Sequence, residues 1–204
     1  MQLLPSPDDV TRLLRETGAL RKGHFRDPNG LHSSEYLQVP IAMRDYKTAR
    51  MLSVGLSRLL RANPETRPLI PDISIVAPAT GGLPVAYGVC EALQAKRVYW
   101  AERESETKPL RFRQFIEPGP GEPVVLVDDI LRSGSKLTEM KALLESFGAI
   151  VVALAVVVYR PTPKTKPFGP LPLLHLVRLE ANYYSDGDSC ELCRKGLPIE
   201  NVWL

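Results

Sequence analysis

Three runs of this chain are apolar except for one serine, Ser74, and lack the sustained polar alternation of a strand exposed on one face. They are "ISIVA" (73–77), "VVLV" (124–127) and "AIVVALAVVVY" (149–159), and stretches with helical spacing separate them. Strands buried on both faces have this composition, and strands that alternate with helices form parallel sheets. The sequence therefore predicts an α/β fold with a central, mainly parallel sheet flanked by helices. Ligands of such sheets bind at the carboxyl ends of the strands.

Capping residues and periodicity predict the other elements. Acidic residues at 8–9 precede one amphipathic helical pattern, and Asp45 precedes a longer one. Further helices are expected over 83–94 and 135–147, and further strands over 97–101, 110–115 and 173–179. The segment "GHFRDPNGLHSSEYL" (23–37) is predicted to form an ordered loop.

The bulk composition limits the class of protein. The chain has 204 residues, 44% of them hydrophobic and 24% charged, which suits a single globular domain spanning 1–204. Its apolar runs are shorter than the ~20 residues that span a bilayer, and its N-terminus does not have the pattern of a signal peptide. Three cysteines fit a reducing compartment. A cytoplasmic protein without membrane contact is therefore expected.

Basic residues gather in two segments. Arg103, Lys108, Arg111 and Arg113 fall close together, and Arg132 and Lys136 flank a small loop. Either these charges are a solvated surface or they create a positive field for an anionic small molecule. The net charge of +3 is too small to indicate nucleic-acid binding.

The stretch "VVLVDDILRSGSK" (124–136) carries the strongest chemical signal. Small residues at 133–135 lie between a strand and a helix, where backbone N–H groups and the helix dipole bind anions. Asp128 and Asp129 suit partners that donate hydrogen bonds, such as sugar hydroxyls, or a hydrated magnesium ion. A ribose 5-phosphate would use both features. The alternatives are a helix-capping turn and a metal-binding pair of aspartates.

This stretch resembles the 5-phosphoribosyl 1-diphosphate (PRPP) binding motif of type I phosphoribosyltransferases. Other segments, in the same order along the chain, resemble those of orotate phosphoribosyltransferases: "TGALRKGHF", "GLHSSEYLQ", "IVAPATGGLPVAYGVCEAL", "YWAERE" and "VVVYRPTP". The ending "CELCRKGLPIE" is similar to the tail of a bacterial subgroup of these enzymes. The resemblance covers roughly residues 10 to 200.

The resemblance implies an activity and an architecture. Members of this family transfer the phosphoribosyl group of PRPP to orotate, which gives orotidine 5'-monophosphate and diphosphate in pyrimidine biosynthesis. It further implies Mg²⁺ as cofactor and a homodimer in which a mobile loop reaches the neighbouring site. Residues 1–45 and about 170–204 would contribute to a hood and a tail of the single domain.

The resemblance also assigns roles to residues of the PRPP site. The diphosphate would be bound by backbone N–H groups of Ala79, Thr80, Gly81 and Gly82, where glycine permits close approach and unusual dihedral angles. Asp128 and Asp129 would hold the ribose hydroxyls, directly or through the metal shell. The 5-phosphate would be bound by Ser133, Gly134, Ser135 and Lys136.

The base site and the mobile loop depart from the family pattern. Arg160 would pair with the carboxylate of orotate, which suits the planar guanidinium. Arg132 stands where the family usually has a threonine that contacts the base, and Lys136 replaces a hydroxyl residue. Arg103 and Lys108 are candidate catalytic residues in a loop that otherwise reads as solvated. Two alternatives stay open: a phosphoribosyltransferase for another base, and a PRPP-binding regulator with weak catalysis.

Cys190 and Cys193 form a single CxxC motif. A structural zinc site needs four ligands, and the nearby His175 has the alternation of a strand residue. A redox role would favour a helix start, which the pattern does not indicate. The sequence therefore does not predict a role for these two cysteines.

Overall fold

The computed structural model describes residues 4–27, 30–105, 107–162, 165–180 and 182–202. The helices are α1 (Pro7–Glu16), α2 (Val39–Met43), α3 (Tyr46–Ala62), α4 (Gly82–Leu93), α5 (Ser135–Ser146) and α6 (Glu191–Arg194). The strands are β1 (Leu20–Arg26), β2 (His32–Leu37), β3 (Ser74–Pro78), β4 (Val98–Ala101), β5 (Pro123–Leu131), β6 (Ile150–Tyr159), β7 (Leu173–Arg178), β8 (Tyr183–Tyr184) and β9 (Glu200–Asn201). None of the helices in these described ranges is long and apolar enough to cross a membrane.

Five strands form the main sheet in the order β4-β3-β5-β6-β7, and every neighbouring pair is parallel. Side chains of β5 alternate between its two faces. Val125 and Val127 pack with α1, α3 and α4, whereas Val124 and Leu126 pack with α5. The predicted α/β class and the buried parallel sheet are confirmed.

The two N-terminal helices begin at specific caps. Asp45 caps α3 as predicted, and its Oδ1 accepts the Thr48 N–H at 2.9 Å. Helix α1 starts earlier than the acidic pair suggested, because Ser6 is its cap. The Ser6 Oγ accepts the Asp9 N–H at 3.1 Å, while the Asp9 carboxylate accepts the Ser6 N–H at 3.1 Å. This reciprocal capping box places Asp9 inside the first turn.

The predicted strand over 110–115 is wrong. Among the described residues of this segment, strand-like pairing is limited to one bridge between Glu102 and Arg111. Gln114 and Phe115 have φ of 58°, which ends any extended run. The alternation of "LRFRQF" arises because Leu110 is buried against the α5 side of the sheet while the arginines pair with loop glutamates.

A second, smaller sheet has the order β8-β2-β1-β9. The predicted loop over 23–37 is therefore wrong, because most of it is an antiparallel hairpin in which Arg26 pairs with His32. Gly23 fits this hairpin because a Cβ there would lie 2.8 Å from the Phe25 ring. The hairpin stands over the carboxyl ends of β5 and β6, where the Leu37 carbonyl accepts from Arg132 at 3.0 Å.

Candidate active site

A cleft of about 960 Å³ opens at the carboxyl ends of β3, β4 and β5. Its walls come from the end of the hairpin, the β3–α4 loop, the loop after β4 and the β5–α5 loop. The cleft brings together most of the predicted site residues: Ala79, Thr80, Gly81, Arg103, Asp128, Asp129, Arg132, Ser133, Gly134, Ser135 and Lys136. Gly82 and Arg160 lie directly behind this lining, whereas Lys108 is exposed and does not line the cleft.

The two aspartates occupy the last part of β5 instead of the loop that the sequence suggested. Asp128 is only 4% exposed, and its Oδ1 accepts the Asp129 N–H at 3.0 Å. Burial and then the Asp129 charge raise the pKa of Asp128 well above its usual value, while Lys136 acts in the opposite direction. Asp129 is half-buried and its Oδ1 accepts the Ile130 N–H at 2.8 Å. Asp129 is therefore the carboxylate that faces the cleft.

The raised pKa of Asp128 predicts how its replacement affects stability. Native Asp128 binds its proton more tightly than the unfolded chain does, so wild-type stability falls as pH rises from about 4 through the raised pKa. Asp128→Asn removes the free-energy cost of ionising this buried carboxyl beside Asp129, and it keeps an acceptor for the Asp129 N–H. We expect the variant to unfold at a higher temperature than wild type near pH 8, with the gain shrinking towards pH 4.5. Thermal unfolding followed by circular dichroism measures this difference, and an equal gain at both pH values would contradict it.

The loop between β3 and α4 needs glycine for close approach. Gly81 has φ −62° and ψ −35°, so the predicted unusual dihedral angles are wrong for this residue. A Cβ on Gly81 would lie 3.1 Å from the Asp129 carboxylate, and one on Gly82 would lie 3.1 Å from Asp128 Oδ1. Because glycine has no Cβ, the N-terminus of α4 packs directly against Asp128 and Asp129. A larger residue at either position would force the aspartates or the loop to move.

Not all four predicted N–H donors of this loop are free. The Ala79 N–H donates to the Ala101 carbonyl of β4 at 2.8 Å, so it is already hydrogen-bonded and is not available to a ligand. The N–H groups of Thr80, Gly81 and Gly82 have no acceptor among the described residues. These three groups precede or begin a helix of 12 residues, whose dipole favours an anion at this position.

A second loop with the geometry of an anion site lies at the start of α5. Gly134 has φ 75°, which favours glycine, and a Cβ there would lie 3.0 Å from the Phe168 ring. The Ser133 carbonyl accepts the Lys166 N–H at 2.9 Å, so the segment between β6 and β7 helps to hold this loop in place. Ser133 and Ser135 leave hydroxyls at the helix N-terminus, where they can donate to a phosphate.

Two arginines connect the cleft to the hairpin. Arg132 donates to the Leu37 carbonyl at 3.0 Å, and its Nη1 lies 4.0 Å from Asp27 Oδ2. Arg160 is 1% exposed, with its Nη2 at 3.7 Å from Glu35 Oε2. Burial lowers the pKa of Arg160 from its usual value. The Nε atoms of both arginines are buried and have no partner among the described residues, so neither guanidinium group has all of its donors paired.

Comparison with known proteins identifies the fold and the family. Residues 70–170 match the family model described as "Phosphoribosyl transferase domain". An orotate phosphoribosyltransferase of Carboxydothermus hydrogenoformans is 33% identical over 191 residues, which is 94% of each chain. The chain belongs to the orotate phosphoribosyltransferase family. It is therefore a PRPP-dependent pentosyltransferase, and the predicted resemblance to this family is confirmed, while the resemblance of the C-terminal tail stays a prediction.

Solved structures show the phosphoribosyltransferase fold. The orotate phosphoribosyltransferase of Aeropyrum pernix has a TM-score of 0.65 at 22% identity, over 83% of this chain and 93% of that one. An adenine phosphoribosyltransferase of Thermoanaerobacter pseudethanolicus has a TM-score of 0.58 at 18% identity, over 71% of this chain and 88% of that one. Because enzymes named for different bases share the fold, base preference depends on local residues.

The loop after β4 is held by ion pairs in this phosphoribosyltransferase. Arg103 pairs with Glu139 of α5, and its Nη1 donates to the Lys108 carbonyl at 2.6 Å. Glu139 also accepts the Leu110 N–H at 2.6 Å. The neighbouring arginines pair with glutamates as well: Arg111 with Glu104, and Arg113 with Glu102. The predicted positive field is therefore largely neutralised within the loop.

Sequence reasoning missed two glutamates that contact arginines of the predicted site. Glu139 follows Ser135 by four residues on α5, so helical spacing could have placed it on the same face of the helix as that serine. Glu35 lies in a hairpin far along the chain from Arg160, and no local pattern links the two. Glu35 is the described carboxylate that contacts the buried Arg160 guanidinium.

Proposed function

We propose that this enzyme transfers the 5-phosphoribosyl group of PRPP to orotate, forming orotidine 5'-monophosphate and releasing diphosphate. The observation that carries the choice of orotate is the arginine pair beside the cleft. Arg132 and Arg160 each retain a buried, unpartnered Nε among the described residues. A planar base with a carboxylate would pair with these guanidinium groups, whose described carboxylate contacts are Asp27 at 4.0 Å and Glu35 at 3.7 Å.

The PRPP half of the proposal assigns each anionic or hydroxyl group a matching partner. Asp129, with Asp128 behind it, would accept hydrogen bonds from the ribose hydroxyls. The loop 133–136 would hold the 5-phosphate, and the free N–H groups of Thr80, Gly81 and Gly82 would bind the diphosphate. During transfer the bond from C1 to the diphosphate breaks while the base forms its bond to C1. Charge then develops on the leaving diphosphate, where those three N–H groups stabilise it.

Magnesium is proposed as the ion that accompanies PRPP. The residues fit such an ion because the Asp129 carboxylate faces the cleft, and Mg²⁺ prefers one or two carboxylates with water and substrate phosphates. When bound, the ion would neutralise charge on the diphosphate.

A homodimer is part of the proposal, as the family resemblance implies. Large exposed aromatic side chains on two neighbouring helices support it: Tyr46 is 73% exposed on α3 and Tyr87 is 55% exposed on α4. Exposed apolar groups of this size mark interaction surfaces when they lie together, and α3 packs on α4.

Release of diphosphate from PRPP, measured with different bases, tests the proposed substrate. With Mg²⁺ present, we expect orotate to support the reaction, and we expect uracil, adenine, guanine and hypoxanthine to be at least about 100-fold slower. A sample without any base measures PRPP hydrolysis, and a sample with a chelator measures the need for the metal. Turnover of one of the other bases in place of orotate would assign the enzyme to that base. PRPP binding without turnover of any base would instead favour a regulator.

A further inference from the structure

Four metal-binding side chains meet outside the cleft. They are His24 of β1, His32 of β2, Cys190 at the start of α6 and Cys193 within it. One ligand atom from each lies within 4.8 Å of all the others, and three of the four residues are buried. The two cysteines are free thiols. The CxxC motif thus gains two further nitrogen ligands from a hairpin more than 150 residues away along the chain.

The distances within this cluster fit a tetrahedral ion. With Zn–N near 2.05 Å and Zn–S near 2.3 Å, tetrahedral ligand atoms would stand about 3.3 Å apart for N and N and about 3.6 Å apart for N and S. Three of the four N–S distances are 3.5 Å for Cys190 Sγ to His24 Nε2, 3.6 Å for Cys193 Sγ to His24 Nε2 and 3.4 Å for Cys193 Sγ to His32 Nδ1, and the fourth lies within the 4.8 Å limit of the cluster. The two nitrogens are 3.0 Å apart, slightly closer than in a loaded site.

The His24 ring is oriented as a metal ligand would be. Its Nδ1 lies 2.9 Å from the Leu197 carbonyl, which can only accept a hydrogen bond. Nδ1 therefore carries the proton, and the lone pair of Nε2 points into the cluster. A backbone carbonyl that fixes the tautomer in this way is a common outer partner of metal-binding histidines.

The C-terminal segment has little else to hold it on the hairpin. Its strands β8 and β9 have two residues each, and α6 has four. The apolar cluster beneath them consists of Phe25, Tyr36 and Val202. Small units with so few buried apolar side chains commonly rely on a disulfide or a metal. A bound ion would cross-link β1, β2 and α6 at one point.

We infer that His24, His32, Cys190 and Cys193 bind one zinc ion, which fixes the C-terminal segment to the hairpin. Thiolate and imidazole ligands in a four-coordinate arrangement select zinc over magnesium or calcium, which prefer oxygen. All four tetrahedral positions are taken by protein atoms, so the ion has a structural role and no open position for substrate. The site is separate from the proposed orotate reaction and does not depend on it.

The chain offers matched controls for a test, because it has three cysteines and three histidines and the cluster uses two of each. The remaining cysteine is Cys90 of α4, whose thiol donates to the Ala95 carbonyl, and the remaining histidine is His175 of β7. Untagged protein is saturated with zinc under reducing conditions, gel-filtered and analysed by elemental mass spectrometry. We expect one zinc ion per chain in wild type, Cys90→Ser and His175→Gln. We expect a large loss in Cys193→Ser and His32→Gln.

Cobalt substitution in the wild-type protein tests the same site without a mutation, so its result does not depend on whether a variant folds. Co²⁺ in the proposed site should give the intense visible bands of a tetrahedral ion and a thiolate-to-cobalt band in the near ultraviolet, and zinc should displace it. Three results would overturn the inference: wild type that takes up well under one zinc ion per chain, full zinc retention in Cys193→Ser, or octahedral cobalt spectra. A Cys190–Cys193 disulfide that persists under reduction, detected as a loss of two mass units, would likewise contradict it.

Discussion

Asp129→Asn will lower kcat/KM for PRPP by about 10- to 150-fold. The Asp129 carboxylate faces the cleft, and we assign it to the ribose hydroxyls. A hydrogen bond to a charged group contributes about 1.5–3 kcal/mol, which corresponds to that range of rates. Asparagine keeps the shape of the side chain and removes its charge. The substitution also removes the charge that helps to raise the pKa of Asp128.

Steady-state rates at varied PRPP, with orotate saturating, measure this effect. Asp8→Asn is the matched control, because Asp8 is exposed on α1 and does not line the cleft. The control should have wild-type kinetics. Near-normal kinetics for Asp129→Asn would remove this residue from the PRPP site and leave the acidic pair as a structural feature.

Arg160→Ala will lower kcat/KM for orotate by about 30-fold or more. Truncation of one partner of a buried, charged contact costs about 2–5 kcal/mol, much of it because the other charge is left unpaired. Here the unpaired groups would be the orotate carboxylate and Glu35, whose Oε2 lies 3.7 Å from the Arg160 Nη2. The loss should fall on orotate, because Arg160 follows β6 and contacts Glu35 of the hairpin, whereas the loop proposed to hold the 5-phosphate lies at the start of α5.

Separate measurement of KM for each substrate distinguishes binding from general damage. We expect KM for orotate to rise while KM for PRPP changes little, and Arg160→Lys to fall between the alanine variant and wild type because it keeps charge without the fork. Thermal unfolding of each variant reports loss of packing. Equal increases in both KM values would mean that Arg160 supports the fold of the hairpin and does not bind the base.

The main sheet could be predicted because each of its buried strands can be recognised from a short stretch of sequence. Each buried strand is an apolar run, and parallel strands bring their carboxyl ends to one edge. The glycines at 81–82 follow the end of β3, and the aspartates and the loop 133–136 lie at or after the end of β5, so their approach at one edge of the sheet followed from topology alone. Glycine at 81 and 82 was expected to allow close approach to the diphosphate, but its contact with the aspartates was not predicted, because that contact is visible only in three dimensions.

The small sheet could not be predicted because its strands are polar and its partners are remote. "LRKGHFR" and "HSSEYL" have no continuous apolar face, and β1 pairs with β9 at the far end of the chain. The same remoteness concealed the contact of Glu35 with Arg160 and the approach of His24 to Cys190. By contrast, "LRFRQF" has a strand-like alternation, yet most of it finds no strand to pair with and remains a loop.

The central claim is that this cleft joins orotate to the ribose of PRPP. Orotate loses ultraviolet absorbance when it becomes a nucleotide, so its consumption can be followed directly in a mixture of purified wild-type protein, PRPP and Mg²⁺. We predict a steady fall in absorbance, one diphosphate released for each orotate consumed, and orotidine 5'-monophosphate as the product. Unchanged absorbance with fully folded, PRPP-binding protein would contradict the assignment of orotate as the substrate.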